Sequence, residues 1–135
     1  MENKITLQVG VKILLKNKDG KYLLVHRSVE KYPEVKDAWD IVGGRIHPGT
    51  TLMENLAREV YEETKLKIVG EPQLISAQDI LKTDRHIVRL TYVGEAEGKI
   101  VLDKTENDDY KWLSKEELLA LKGLDVYFAK ILNRI

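Results

Sequence analysis

The segment TTLMENLAREVYEETKL, residues 50–66, constrains the fold most because it combines a helix start with a helical apolar stripe. Thr51 and Glu54 match the S/T-x-x-E pattern, in which two side chains bind free backbone N–H groups at a helix start. Apolar residues then recur at intervals of three and four positions. We therefore expect a helix from about Leu52 to Thr64. Its predicted buried face consists of Leu52, Met53, Leu56, Ala57 and Val60.

Three carboxylates crowd the second half of this helix. Glu59 forms like-charge pairs with Glu62 at i, i+3 and with Glu63 at i, i+4, and each pair costs about 0.2 to 0.5 kcal/mol. Glu62 and Glu63 also face the negative end of the helix dipole. A solvated charged face with a Glu54–Arg58 ion pair is the alternative explanation. Because Glu63 projects among the apolar residues, where a desolvated carboxylate is unfavourable, the pattern favours a functional site.

A divalent cation would offset this repulsion. Carboxylate oxygens are hard ligands that favour Mg²⁺, with Mn²⁺ as the alternative, and Mg²⁺ commonly binds one or two carboxylates together with substrate phosphates. Such a centre neutralises a pyrophosphate and activates a water, while a free carboxylate takes the proton. The acidic cluster therefore predicts hydrolysis of a phosphoanhydride.

The composition narrows the class of protein. The 135 residues suit one domain, spanning 1–135, and the 22 Lys and Arg equal the 22 Asp and Glu, so no long nucleic acid is expected as a partner. There is no cysteine, no apolar run long enough for a membrane span, and no signal-peptide pattern in MENKITLQ. We expect a cytoplasmic protein that does not bind a membrane.

The rest of the chain alternates β-rich and helical patterns. Asp19-Gly20 predicts a hairpin turn between two β-rich runs, and AWDIVGG, residues 38–44, predicts a third strand. Two further β-rich runs follow the helix, and Ser114 is placed to cap a helix in KEELLALK. Residues 124–135 place apolar side chains on one helical face. This order predicts an α/β fold, a mixed sheet covered by helices.

The segment GGRIHPGTTLMENLAREVYEETKL, residues 43–66, resembles the Nudix box, G-x5-E-x7-R-E-U-x-E-E-x-G-U, in which U is a bulky aliphatic residue. The preceding hairpin and the following ENDDYKWLSKEEL are also similar to the surroundings of the box in that family. The residues that match the box are Gly44, Arg58, Glu59, Val60, Glu62, Glu63 and Leu66. The resemblance implies the Nudix α/β/α sandwich and hydrolysis of a nucleoside diphosphate linked to another group, by water attack on phosphorus.

The resemblance also implies roles for the box residues. The Gly44 carbonyl, Glu59, Glu62 and Glu63 would form the metal shell, and Glu59 and Glu63 are catalytic candidates. Arg58 would hold the glutamates by hydrogen bonding and is counted with the catalytic residues.

A further catalytic candidate lies outside the box. Glu106, six residues before Trp112, is similar in placement to a family carboxylate that binds metal or acts as general base. Asp108 and Asp109 lie beside it and could take its place. Glu59 and Glu106 therefore remain rival candidates for the base.

Two positions depart from the box. Thr50 stands where the family has a glutamate, which is usually a positioning residue, and Lys65 stands where it has a glycine. We expect Thr50 to weaken activity or to narrow the choice of substrate. Lys65 falls at the helix end, where glycine readily adopts positive φ and a lysine costs about 1 kcal/mol.

The substrate is expected to be a small nucleotide-type molecule. Arg27 and Arg45 are candidates for phosphate binding, and Trp39 for stacking on a base. A damaged nucleoside triphosphate, a nucleotide sugar and ADP-ribose all fit the resemblance, which is also compatible with a homodimer. The alternative function is a catalytically weak Nudix-fold module that binds a nucleotide.

Overall fold

The computed structural model describes residues 4–135, and its sheet is built around the long strand β1, Thr6–Lys16. The other strands are β2 (Tyr22–Arg27), β3 (Trp39–Asp40), β4 (Val42–Arg45), β5 (Lys67–Leu81), β6 (Arg85–Glu97) and β7 (Asn107–Leu113). β1 runs parallel to β6 and antiparallel to β2 and β4, so the sheet is mixed as expected. β3 and β7 extend the sheet from β2, and β5 pairs antiparallel with β6.

Helices cover both faces of the sheet. They are α1 (Leu52–Thr64), α2 (Lys115–Ala120) and α3 (Val126–Ala129). Because side chains alternate along a strand, β1 supplies two hydrophobic cores. Val11, Ile13 and Leu15 pack with Leu56 and Val60 of α1. On the opposite face, Leu14 belongs to the core that includes Leu118 and Phe128. The predicted α/β class, with helices on either side of a mixed sheet, is confirmed.

Helix α1 has the predicted bounds, and Thr51 caps it by accepting a hydrogen bond from the Glu54 backbone N–H at 3.1 Å. Its buried face differs from the prediction. Met53 is 39% exposed and Ala57 is also exposed, whereas the polar residue Asn55 is fully buried. Asn55 is buried because its amide bonds the loop that precedes the helix.

The hairpin and the third strand are present but differ in detail from their predictions. The β1–β2 turn contains Gly20 at φ +76°, as the Asp19-Gly20 pair indicated, although β1 and β2 are in register only at Lys16 and Tyr22. The strand expected over residues 38–44 is divided at Ile41. β3 pairs with β2 and β4 with β1, so the chain changes partner within the predicted strand.

The prediction of one continuous helix over residues 124–135 was wrong. The structure has only the four-residue α3, followed by a 3₁₀ turn at Leu132–Arg134. Phe128 and Ile131 are nevertheless buried in the second core. Short helices rich in β-branched and aromatic residues are marginal without packing, and here the apolar residues reach the core without a regular helix.

Lys65 adopts the left-handed conformation at the end of α1, with φ +64°, and its N–H bonds the Tyr61 carbonyl. Its ammonium also lies over the Tyr61 ring, 4.6 Å from the centroid. Lys65→Gly and Lys65→Ala both remove that contact, but only glycine relieves the backbone strain. We predict that the glycine variant is more stable than the alanine variant by about 1 kcal/mol in urea unfolding. An alanine variant of equal or greater stability would contradict this.

Candidate active site

Two glycines of β4 let the strand backbone lie directly against the carboxylates of α1. The Gly43 N–H donates to Glu63 Oε2 at 3.1 Å. A Cβ at Gly43, where φ is +148°, would lie 2.0 Å from the Val11 carbonyl oxygen, and one at Gly44 would lie 2.7 Å from Glu59 Oε1. At Gly43 a side chain would therefore collide with the backbone of β1, and at Gly44 it would push the Glu59 carboxylate out of its present position.

A cavity of about 720 Å³ opens beside this contact. It brings together most of the site residues expected from the sequence. Those that line it are Arg27, Gly44, Arg45, Glu59, Glu62, Glu63 and Glu106. Of residues 51–66, only Glu59, Glu62 and Glu63 line the cavity. The other candidates that line it come from β2, β4 and the segment before β7.

Arg58 lies behind the carboxylates and connects them to the neighbouring loop. Its Nη1 donates to Glu59 Oε1 at 3.1 Å and lies 3.5 Å from Glu62 Oε2. Its Nη2 donates to the Arg45 carbonyl at 3.2 Å and to Asn55 Oδ1 at 2.8 Å. The planar guanidinium thus holds two carboxylates in fixed positions relative to the end of β4.

Glu63 is a largely buried carboxylate with a raised pKa. Burial, together with the nearby charge of Glu59, raises its pKa to about 7. Lys12 and hydrogen bonds from Asn107 Nδ2, at 3.0 Å, and from the Gly43 N–H act in the opposite direction but do not outweigh burial. Glu63 therefore holds its proton more tightly than an exposed glutamate does.

Glu106 lines the cavity but is held by the loop after β2. Its carboxylate bonds the Lys31 ammonium and accepts a hydrogen bond from Tyr32 Oη at 2.8 Å. Burial raises the pKa of Glu106, but these two hydrogen bonds outweigh it and hold that pKa below its usual value. Glu106 is therefore ionised and already paired.

Trp39 lies outside the cavity. It packs against the second core, its ring meets the edge of His26 at 4.9 Å, and the Lys111 ammonium lies 5.0 Å from its centroid. The structure therefore does not place this side chain with the other substrate-binding candidates.

The sequence reasoning missed a buried group of charges at the cavity floor. Asp40 is 2% exposed, and its carboxylate lies 3.2 Å from Lys12 Nζ, 3.1 Å from Arg89 Nη2 and 3.6 Å from Arg27 Nη2. Burial raises the pKa of Asp40, but the charges of Lys12 and Arg89 outweigh it and lower that pKa. Arg89 also bonds Asp125 at 3.1 Å. The one sequence signal was Lys12, a cation within the apolar run VGVKILL.

The donor set fits a divalent cation. Glu59, Glu62 and Glu63 supply hard oxygens to one cavity, and Glu63 is a buried carboxylate whose ionised form a cation would stabilise. Within residues 4–135, no three His, Asp or Glu side chains already stand as a metal cluster. The carboxylates are instead bonded to Arg58, Gly43 and Asn107.

Residues 6–134 match the NUDIX domain family. The chain belongs to the Nudix family. This Nudix hydrolase is 28% identical over 112 residues to a Bacillus subtilis (strain 168) protein named "Putative 8-oxo-dGTP diphosphatase", a match that covers 81% of this chain and 68% of the relative.

Solved structures agree with the family. The MutT protein from Methanosarcina mazei Go1 superposes with a TM-score of 0.81 at 27% identity, covering 98% of this chain and 95% of that one. The MutT Nudix hydrolase from Burkholderia pseudomallei superposes with a TM-score of 0.79 at 18% identity, covering 96% and 98%. The second likeness concerns the fold alone.

No helix in residues 4–135 has the length and apolar character needed to cross a membrane.

A second cavity of about 770 Å³ lies just beyond the C-terminal end of α1, near Lys65 and Trp112. Its charged residues are of both signs and include Lys16, Lys67 and Glu95. None of the residues of the Nudix box that bear carboxylates lines it. The first cavity is therefore the candidate active site.

The raised pKa of Glu63 predicts that the metal-free protein becomes less stable as the pH rises. Its folded pKa of about 7 exceeds the ordinary value of 4.5, so the folded state binds the proton more tightly between these values. The resulting stabilisation is complete below the ordinary pKa and is lost as the pH passes through about 7. In EDTA, the wild type should lose up to about 3 kcal/mol relative to Glu63→Gln between pH 5 and pH 8. Parallel pH profiles in urea unfolding would contradict the assignment.

Proposed function

We propose that this Nudix hydrolase cleaves a pyrophosphate bond of a nucleoside triphosphate in a Mg²⁺-dependent reaction. The first candidate substrate is a nucleotide with an oxidised purine base, such as 8-oxo-dGTP. The observation that supports this proposal is the division of the cavity into two walls. The carboxylates of α1 form one wall. Four cations, Lys12, Arg27, Arg45 and Arg89, lie around the rest of it.

The cavity suits a nucleotide in size and in polarity. Its volume of about 720 Å³ falls within the range of about 300 to 1,000 Å³ that is typical of ligand pockets. Ile80 and Ile87 add an apolar surface to the cavity, where a base could pack. The name of the Bacillus subtilis relative includes the nucleoside triphosphate 8-oxo-dGTP, which favours this substrate class over a nucleotide sugar or ADP-ribose.

The chain's own residues would divide the work of hydrolysis. The Gly44 carbonyl, Glu59, Glu62 and Glu63 would hold Mg²⁺, with Mn²⁺ as a substitute. A bound cation would neutralise the pyrophosphate and lower the pKa of the attacking water. Lys12, which is buried beside Asp40, is placed to meet a phosphate with its ammonium.

The contacts favour Glu59 over Glu106 as the residue that accepts the proton from water. Glu106 would first have to give up its bonds to Lys31 and Tyr32. Arg58 binds Glu59 through Oε1, and Oε2 accepts no hydrogen bond from the residues that the structure describes. A base that is oriented by a fixed cation needs little reorganisation during the reaction.

The remaining expectations stay predictions. They are a single domain over residues 1–135, a cytoplasmic location and a homodimer. A nucleotide-binding module with little turnover is the alternative to the enzyme, and it would follow if Thr50 has removed an essential contact.

The test is release of product from 8-oxo-dGTP, dGTP, a nucleotide sugar and ADP-ribose, each with Mg²⁺ or Mn²⁺. We expect metal-dependent cleavage that is fastest for 8-oxo-dGTP. Glu63→Gln should lower turnover by about 100-fold or more, because one of the carboxylates proposed to hold Mg²⁺ loses its charge. Glu71→Gln, at an exposed position of β5, is the matched control and should keep full activity.

Cleavage of another compound in the panel would change the substrate class. Binding of a nucleotide that raises the melting temperature, without cleavage, would instead support the binding module.

Gly44→Ala tests the approach of β4 to the helix. The added Cβ would lie 2.7 Å from Glu59 Oε1, so the carboxylate must move. We predict a loss of turnover of about tenfold or more with a folded protein. Gly94→Ala on β6, whose Cβ would meet the Ile13 side chain at 3.1 Å, is the matched control. It should affect stability but not turnover, and an equal effect of both variants on turnover would contradict the prediction.

A further inference from the structure

Asn55 is a fully buried polar residue on the face of α1 that meets the preceding loop. It lies five residues after Thr50, at one of the seven positions that the box leaves unspecified. An asparagine lowers helix stability and a buried amide costs free energy unless it is hydrogen-bonded. The side-chain amide of Asn55 must therefore form hydrogen bonds that offset the free-energy cost of its burial.

All of the bonding capacity of the Asn55 amide is used. Oδ1 accepts from the His47 N–H at 3.0 Å and from Arg58 Nη2 at 2.8 Å. Nδ2 donates to Thr50 Oγ1 at 2.8 Å and to the Thr51 carbonyl at 2.5 Å. Because a carbonyl can only accept and a backbone N–H can only donate, these partners fix which end of the amide faces Arg58.

Thr50 holds the other end of the same amide. Its Oγ1 donates to the His47 carbonyl at 2.6 Å while it accepts from Asn55. The hydroxyl thus has one donor and one acceptor role, and both are filled. A continuous path of bonds runs from Thr50 through Asn55 to Arg58 and then to Glu59.

We propose that Asn55, fixed by Thr50, is a positioning residue that holds Arg58 against the metal-binding glutamates, in place of the glutamate that the Nudix box has at position 50. Thr50 is too short to reach the guanidinium by itself, and the amide spans the distance. The inference rests on the proposed function, since it concerns the same carboxylates. It also explains how a chain that lacks the box glutamate keeps Arg58 in position.

The first experiment measures Mn²⁺ affinity without nucleotide, by electron paramagnetic resonance, alongside kcat and KM for the nucleotide that the wild type cleaves. For Asn55→Ala we expect Mn²⁺ to bind at least about fivefold more weakly and kcat to fall about tenfold, with KM changed less than threefold. Asn17→Ala is the matched control, because its side chain accepts two backbone hydrogen bonds in the β1–β2 turn. It should lower stability without changing Mn²⁺ affinity or kcat.

The second experiment restores the family residue. In the double variant Thr50→Glu, Asn55→Ala, the longer carboxylate should reach Arg58 and recover Mn²⁺ affinity and kcat to within about threefold of Thr50→Glu alone. Failure of this rescue would overturn the claim that Asn55 takes the place of the glutamate. Stability loss in Asn55→Ala with unchanged Mn²⁺ affinity and kcat would show that Asn55 is only structural.

A third pair of variants covers the case in which Asn55→Ala does not fold. Thr50 is exposed, so Thr50→Val should fold and weaken Mn²⁺ binding by removing the acceptor, whereas Thr50→Ser should keep it. Equal Mn²⁺ affinity in both variants would overturn the proposal. A wild type that binds Mn²⁺ but cleaves no nucleotide contradicts the proposed function alone, because the Mn²⁺ measurements still decide the role of Asn55.

Discussion

The approach of the β4 backbone to helix α1 is the constraint on which the site depends. The Gly43 N–H donates to Glu63, and the absence of a Cβ lets Gly43 lie against β1 and Gly44 lie against the Glu59 carboxylate. The strand is in turn fixed by its antiparallel pairing with the central strand β1. The positions of the carboxylates therefore depend on the pairing of β4 with β1 as well as on helix α1. Together these elements place the carboxylates in one wall of the cavity.

This arrangement concentrates charges of opposite sign within one cavity. Arg58 pairs with Glu59 and Glu62, and Asp40 pairs with Lys12 and Arg89. The pairs at Asp40 are buried, so removing one member would leave the other charge without compensation. The cavity thus presents both the acceptors for a cation and the donors for phosphates in a preorganised form.

Local signals predicted the elements that depend on local interactions. The cap at Thr51 and the apolar spacing gave the bounds of α1, and the box gave Gly44, Glu59, Glu62 and Glu63, which line the cavity. The floor formed by Lys12 and Asp40 was missed because it requires pairing between distant strands. The C-terminal helix was wrong because apolar spacing at Phe128 and Ile131 reports burial, which the core satisfies without a continuous helix.

The most direct test of the account is the position of Mn²⁺ in crystals grown with the cation and recorded with anomalous scattering. The account predicts a peak enclosed by Glu59, Glu62 and Glu63 next to the Gly44 carbonyl. A peak only in the second cavity, near Glu95, or no peak at saturating Mn²⁺, would contradict the claim that the carboxylates of α1 form the metal centre.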